Sequence, residues 1–361
     1  MLVSFYVCIS PSYFYKNNVY YIIPNLVLFG VAFSLHFTNN QKINTTTFIL
    51  ILLLVVSLLG SFGFNGFHHG IIAIFIVFFS YLYLFCILPK YKLNMIFDRT
   101  IIIFCLYFSL VPVLLYLVLN QQTMLSYDGT FGGFSNSRSG YGYIAGATIL
   151  VFIIRNTKLK YIVIPFLVYG LILSQNRSSL IATLIASLYL LSNRYKKLKK
   201  LFMYFISFIL LAIAYQLFTK YSTRSVAASD QWRISMITQF IEFIKAHPIW
   251  GYGGDYQIFM GGELNLAHNT IIQIWASFGV IVLVSFFMLY FHIMKRFNTY
   301  GRAFFLYILI LGMFQPTLGV GINYLFCIIT IFAIYYNQYG LVNMAAGYKK
   351  GMFPPQTDKL V

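Results

Sequence analysis

The sequence predicts an all-α polytopic membrane protein with about eleven transmembrane helices, or 11–12 if residues 1–18 add one. Three observations predict it. Only 9% of the 361 residues are charged and 60% are hydrophobic, whereas a soluble domain carries about 25% charged residues to cover its surface. Apolar runs long enough to cross a bilayer recur from end to end. The basic residues fall in short clusters between those runs, as the positive-inside rule expects. The formal net charge of +18 therefore reads as membrane topology and not as a nucleic-acid surface.

In chain order the expected spans are 19–37, 46–64, 70–88, 100–119, 139–155, 160–175, 178–192, 201–218, 269–293, 303–318 and 321–337. Residues 2–15 are apolar but short and interrupted by Pro11. When the spans alternate, one set of loops collects Lys42, Lys90, Lys92, Arg99, Arg155, Lys158, Lys160, the 194–200 cluster, Lys295, Arg296, Arg302 and the tail lysines. That side is expected to be cytoplasmic. The other set is then extracytoplasmic: the 65–69 turn, the 120–138 loop, the turn at Arg177, the long 219–268 loop and the turn near Gly319. The whole chain, 1–361, reads as a single membrane domain, with 219–268 as a large loop within it. The N-terminus shows no basic region and no small-residue cleavage site, so no cleavable signal peptide is expected.

The 120–138 loop has turn chemistry and no helical period. The long loop differs. Asp230 suits an N-cap, and Trp232, Met236, Ile237, Phe240, Ile241 and Ile244 recur at helical spacing. They predict an amphipathic helix over about 231–246, ended at His247-Pro248 because a proline disfavours helix at the residue before it. Its apolar stripe would lie on the membrane surface or cap the bundle. Gly251, Gly253 and Gly254 follow, where the backbone can turn tightly or approach a ligand.

Few residues can carry chemistry. Cys8, Cys86, Cys105 and Cys327 lie in apolar stretches without paired spacing, which points to neither a metal site nor a disulfide framework. His68 and His69 are adjacent with no acid nearby, a poor metal set. No phosphate-binding or dinucleotide-binding glycine pattern is present. Neither a metal nor a cofactor is expected. Arg177 has apolar runs on both sides, and an arginine at a helix centre costs about 2.5–3.5 kcal/mol. It either faces a cavity, where its planar fork suits phosphate oxygens, or caps a short outward hairpin. His268 opens the ninth span. It is either a proton acceptor or an interfacial histidine with a satisfied hydrogen bond, and position alone favours the latter. Arg138, Arg177, Arg224 and Arg233 make the outward side locally basic, which suits lipid head groups or a lipid-linked diphosphate. Pairing with Asp128, Asp230, Glu242, Asp255 and Glu263 is the competing account.

Several of these residues fall in a pattern that resembles the O-antigen ligase and O-antigen polymerase-like integral membrane proteins of bacterial surface polysaccharide assembly. Arg224 and Trp232 are followed by His247-Pro248-Ile-Trp-Gly251-Tyr-Gly253, then His268-Asn269, then Gly279. Upstream, Ser174 to Ser178 is similar to the family's Ser-Arg turn. The stretch from Ser135 is similar to a family loop that usually contains Asn-Pro-Asn, where this chain has Asn136-Ser137-Arg138. The resemblance covers about 135–290 and the topology of the whole.

The resemblance implies a GT-C-like fold and a glycosyltransferase in the bacterial cytoplasmic (inner) membrane, with its site on the extracytoplasmic side. The donor would be a glycan on undecaprenyl diphosphate. A repeat-unit polymerase of O-antigen or capsule type would pass it to a lipid-linked acceptor sugar with inversion and without metal. The alternatives are a ligase that passes the finished glycan to lipid A–core or a protein, and a transporter of lipid-linked oligosaccharide. The implied catalytic residues are His268, Arg177 and Arg224. The implied substrate-binding residues are Arg233, Arg138, Trp232, Gly251, Gly253 and Asn269. Glu263 and Asp255 are alternative bases. Implied partners are the lipid-linked oligosaccharide, an acceptor glycan, the bilayer, a chain-length regulator and a flippase, with no nucleic acid.

Overall fold

The structure is a computed structural model that describes residues 45–65, 95–120, 122–126, 129–135, 137–155, 157–194, 228–252, 269–314 and 329–338. The expected spans 19–37, 70–88 and 201–218 lie outside the described residues, as do Arg224, Gly253, Asp255, Glu263 and His268. Among the described residues the fold is all helix, with one isolated β-bridge and no strand.

Ten helices are described. They are α1 (Thr45–Asn65), α2 (Met95–Cys105), α3 (Val111–Leu119), α4 (Arg138–Arg155), α5 (Lys160–Leu173), α6 (Arg177–Arg194), α7 (Ala228–Ala246), α8 (Thr270–Arg296), α9 (Thr299–Phe314) and α10 (329–338). A π-helical turn, Leu106–Leu110, joins α2 to α3. It precedes Pro112, which has no amide to continue the α-helical ladder. Asp98–Leu119 and Thr270–Arg296 are each long and apolar enough to cross a bilayer. Large apolar side chains remain exposed along α1, α3, α5 and α9, among them Val56, Val118, Ile162 and Met313. Such faces suit a lipid surround.

Helices joined by short connections alternate in direction, and polar contacts fix the register of packed pairs. Arg155 at the end of α4 donates to Asp98 at the start of α2. Farther along the same pair, the Tyr141 hydroxyl donates to the Ser109 carbonyl at 3.1 Å. In α1, Thr47 accepts from Arg296 at 2.9 Å, and Ser57 meets Ser285 at 3.3 Å, so α1 runs against α8. The Asn298 side chain donates to the Asn337 carbonyl at 2.6 Å, and the Asn269 side chain donates to the Met313 carbonyl at 3.0 Å. One end of the bundle therefore carries Arg99, Arg155, Lys158, Lys160, Lys295, Arg296 and Arg302, and the opposite end carries Arg138 and Arg177. This is the alternation that the loop charges predict.

The core is apolar and aromatic. Phe104, Tyr143, Phe304, Phe305, Tyr307, Phe332 and Tyr336 are fully buried where α2, α4, α9 and α10 meet. Small residues let α4 and α6 approach closely. A Cβ on Gly142 would meet the Ser179 hydroxyl, and one on Gly146 would collide with Thr183 and the Tyr307 hydroxyl.

Two expectations need correction. The helix in the long loop begins at Ala228, so Asp230 lies in its first turn and is not its N-cap; an acid there still suits the helix dipole. The 303–318 span starts earlier, at Thr299, because Asn298 caps it and accepts from the Gly301 amide at 2.9 Å. The onset of apolarity at Ala303 hid that cap. The described residues of 120–138 have the turn chemistry expected of them, and they also pack inward. They form two 3-10 turns, Gln122–Met124 and Gly133–Ser135, and a Leu125–Phe131 bridge. Met124 and Phe131 are buried, and Phe134 stacks on Tyr107 with ring centres 5.0 Å apart. Tyr107 lies twelve residues before Leu119, about 18 Å along the helix. The segment thus turns back into the bundle, where packed protein can accommodate its irregular backbone.

Candidate functional site

At the end opposite the basic clusters, α4 and α6 begin side by side. Asn176 joins them. Its side-chain oxygen accepts from the Ser179 amide at 3.1 Å and the Ser178 hydroxyl at 2.6 Å, which makes it the N-cap of α6. Its side-chain nitrogen donates to the Arg138 carbonyl at 3.4 Å. Arg138 and Arg177 are thereby the first residues of two linked helices. The turn before Asn176 is tight. Gln175 has a left-handed φ of 51°, and the Ser174 hydroxyl closes onto the Leu171 carbonyl at 2.8 Å.

Arg177 is exposed, Arg138 is half-buried, and no described residue forms an ion pair with Arg177. Arg177 is the first residue of α6, just after the turn that joins α5 to α6. The 14 residues of α5 rise about 21 Å at about 1.5 Å each, against a hydrocarbon core of about 30 Å. The α2–α3 unit is much longer, so its last turns stand above the starts of α4 and α6. Two helix N-termini and the residues Arg138 and Arg177 thus come together at this end, and helix N-termini and arginines both attract anions.

The long-loop helix does not lie free on the surface. Met236 and Phe240 are buried, and Phe240, Ile244, Ile272 and Ala276 form an apolar contact between α7 and the first part of α8. Ile241, counted in the same stripe, is exposed. Glu242 pairs with Lys245 at 2.8 Å on the exposed side, so that acid is engaged within its own helix. Trp232 and Arg233 fall within α7, but their side chains are outside the described residues.

The turn after α7 enters α8. Gly279 breaks α8 with φ 83° and ψ 172°. The Pro248 carbonyl accepts from the Val280 amide at 3.0 Å and from the Trp275 indole at 3.0 Å. The Tyr252 amide donates to the Ala276 carbonyl at 2.9 Å. Gly251, with φ 65°, is pressed against the backbone of Ser277 to Gly279, where a Cβ would not fit. A Cβ on Gly279 would collide with the Ile249 carbonyl. From α1, Ser61 donates to the Trp250 carbonyl at 2.5 Å, and the Trp250 ring covers Gly60. Gly251 thus has a packing role in the described geometry.

Asn269 is the N-cap of α8. Its side chain accepts from the amides of Ile271 and Ile272 at 2.9 and 3.2 Å, while its nitrogen binds Met313. The structure links Arg138 with the turn at Arg177, and Gly251 with the helix that Asn269 begins. Sequence reasoning missed Asn176 as the bridge and Tyr307 beneath it, whose hydroxyl donates to the Tyr143 carbonyl at 3.0 Å. The Gly142-x-x-x-Gly146 spacing facing Ser179-x-x-x-Thr183 was the available signal.

No curated protein matches the chain. Residues 162–287 match the family model described as O-antigen ligase. That stretch holds Arg177, the α7 helix, the sequence from His247 to Gly253, His268-Asn269 and Gly279, and over these residues the chain is similar to the O-antigen ligase family.

Proposed function

We propose that the protein is a membrane glycosyltransferase of surface polysaccharide assembly that acts on a glycan carried by undecaprenyl diphosphate. The observation that carries this reading is the pair of linked helix starts at Arg138 and Arg177, at the end opposite the basic clusters. With the basic end in the cytoplasm, those helix starts would lie on the extracytoplasmic side, where a lipid-linked donor would be presented.

As the anomeric carbon–oxygen bond breaks, negative charge grows on the diphosphate. Arg177, Arg224 and Arg138 would hold that charge, with Arg233 beside them. The acceptor hydroxyl attacks the anomeric carbon from the opposite face and forms the new glycosidic bond with inversion. His268 accepts the hydroxyl proton. Undecaprenyl diphosphate leaves, and its phosphates take no proton from the acceptor. Asn269 would hold the start of α8 in place, and Trp232 and Gly253 would border the sugar.

The first reading of the product is a repeat-unit polymer, with a second lipid-linked repeat as acceptor. The ligase reading is favoured by one observation, the description of the matching family model. Purified protein given one defined lipid-linked repeat tests both. A product ladder supports the polymerase. Transfer only after a foreign acceptor is added supports the ligase. Movement of intact lipid-linked glycan across the membrane without bond cleavage would contradict both.

A further inference from the structure

An uninterrupted α8 would close a hydrogen bond from the Val280 amide to the Ala276 carbonyl. Here both groups bond to the inserted turn instead, Val280 to Pro248 and Ala276 to Tyr252. The turn thus sits as a wedge in the helix. Two glycines make this possible: Gly279 by adopting φ 83°, and Gly251 by bringing its backbone against Ser277 to Gly279. The wedge is held from outside the helix by Ser61 and Gly60 of α1, and from within it by the Trp275 indole.

The break divides α8 into a longer part, Val280–Arg296, and a separate nine-residue part, Thr270–Phe278. The direction of the separate part is set by the wedge, by α7 through Phe240 and Ala276, and by the Asn269 contact with Met313. Its N-terminal end is Asn269, and His268 precedes Asn269 in the chain.

We propose that Gly251 and Gly279 are positioning residues of the transfer site. By keeping α8 broken they aim Thr270–Phe278 and its cap Asn269, to which residue 268, the proposed proton acceptor, is joined in the chain. This rests on the glycosyltransferase reading above. It assigns the His-Pro-x-x-Gly turn to geometry and not to direct contact with substrate. Arg138 and Arg177, proposed to hold the diphosphate, start other helices, so the wedge bears on the proton-transfer step more than on donor capture.

The test combines steady-state kinetics with amide hydrogen exchange on wild type, Gly279→Ala and Trp275→Phe. Alanine at 279 favours a continuous helix, which expels the turn. The expected result is faster exchange at the Tyr252 amide and a kcat at least 30-fold lower, with the donor KM within about threefold. Trp275→Phe removes one hydrogen bond and keeps the ring, so it guards against simple misfolding. It is expected to lower kcat about three- to tenfold, again with little change in KM. Freed exchange at Tyr252 with kcat within twofold of wild type overturns the proposal, as does a loss confined to KM. A wild type that transfers no glycan to any acceptor overturns the transferase reading itself, and the positioning role falls with it.

Discussion

The Val280 amide donates to the carbonyl of Pro248, 3.0 Å away, and not to a carbonyl of its own helix. Thirty-two residues of chain separate the two. The contact explains why a proline and a glycine stand three residues apart in the turn after α7. Proline ends the helix and presents a carbonyl with two donors. Glycine lets the chain pass against α8 without a Cβ. The long-loop helix and the helix opened by Asn269 consequently form one packed unit.

Replacing Arg177 should separate function from stability. Its side chain is exposed, and no described residue forms an ion pair with it. Arg177→Ala is expected to keep the thermal midpoint of the purified protein within a few degrees. Loss of one group that stabilises charge in a transition state costs about 10²–10³ in rate, and transfer assays should show a fall of that order. Arg177→Lys should recover only part of it, because a lysine lacks the planar fork.

Asn176 offers a finer separation. Asn176→Ala removes the cap of α6 and is expected to cost about 0.5–2 kcal/mol of stability, read by thermal or denaturant unfolding in detergent. Asn176→Asp keeps an acceptor for the Ser179 amide and should unfold near wild type. It loses the bond to the Arg138 carbonyl and puts a negative charge at the helix starts. Its donor KM should rise about tenfold.

Gly146→Val tests the close packing of α4 on α6 and α9. The added atoms would meet Thr183 and the Tyr307 hydroxyl, both buried. Overpacking of this kind costs about 1–3 kcal/mol. The measurement is the unfolding midpoint together with the yield of monodisperse protein. Gly63→Ala, at a position with no neighbour within 4 Å of an added Cβ, should change neither.

Asp98→Ala addresses the far end of the bundle. It breaks the Asp98–Arg155 pair, whose side chains are 18% and 17% accessible. Leaving a largely buried partner without its acceptor costs about 1–3 kcal/mol. Stability should fall by that amount, while transfer per folded molecule stays at the wild-type value.

Much of the helix plan was legible in the sequence because lipid imposes long apolar runs and loop charge fixes their alternation. Thr47 against Arg296 and Asp98 against Arg155 lie where that alternation requires. What stayed hidden depends on contacts between segments far apart in the chain. The 120–138 segment looks like an ordinary turn-rich loop, and only the stacking of Phe134 on Tyr107 reveals that it folds inward. Gly251 could be marked as a tight turn, but nothing local says that the turn enters α8. Arg138 and Arg177 could be named singly from charge. Their connection runs through the Asn176 side chain, across 38 residues. The residues expected to complete the site, His268, Arg224 and Gly253, lie outside the described residues.

The central claim is that the linked starts of α4 and α6 receive a lipid diphosphate. The most direct measurement is equilibrium binding of undecaprenyl diphosphate to purified wild type, Arg138→Ala and Arg177→Ala, with undecaprenol as the uncharged control. The account predicts that wild type prefers the diphosphate over undecaprenol and that each variant binds the diphosphate at least tenfold more weakly with undecaprenol binding unchanged. Equal diphosphate binding by wild type and both variants would contradict it.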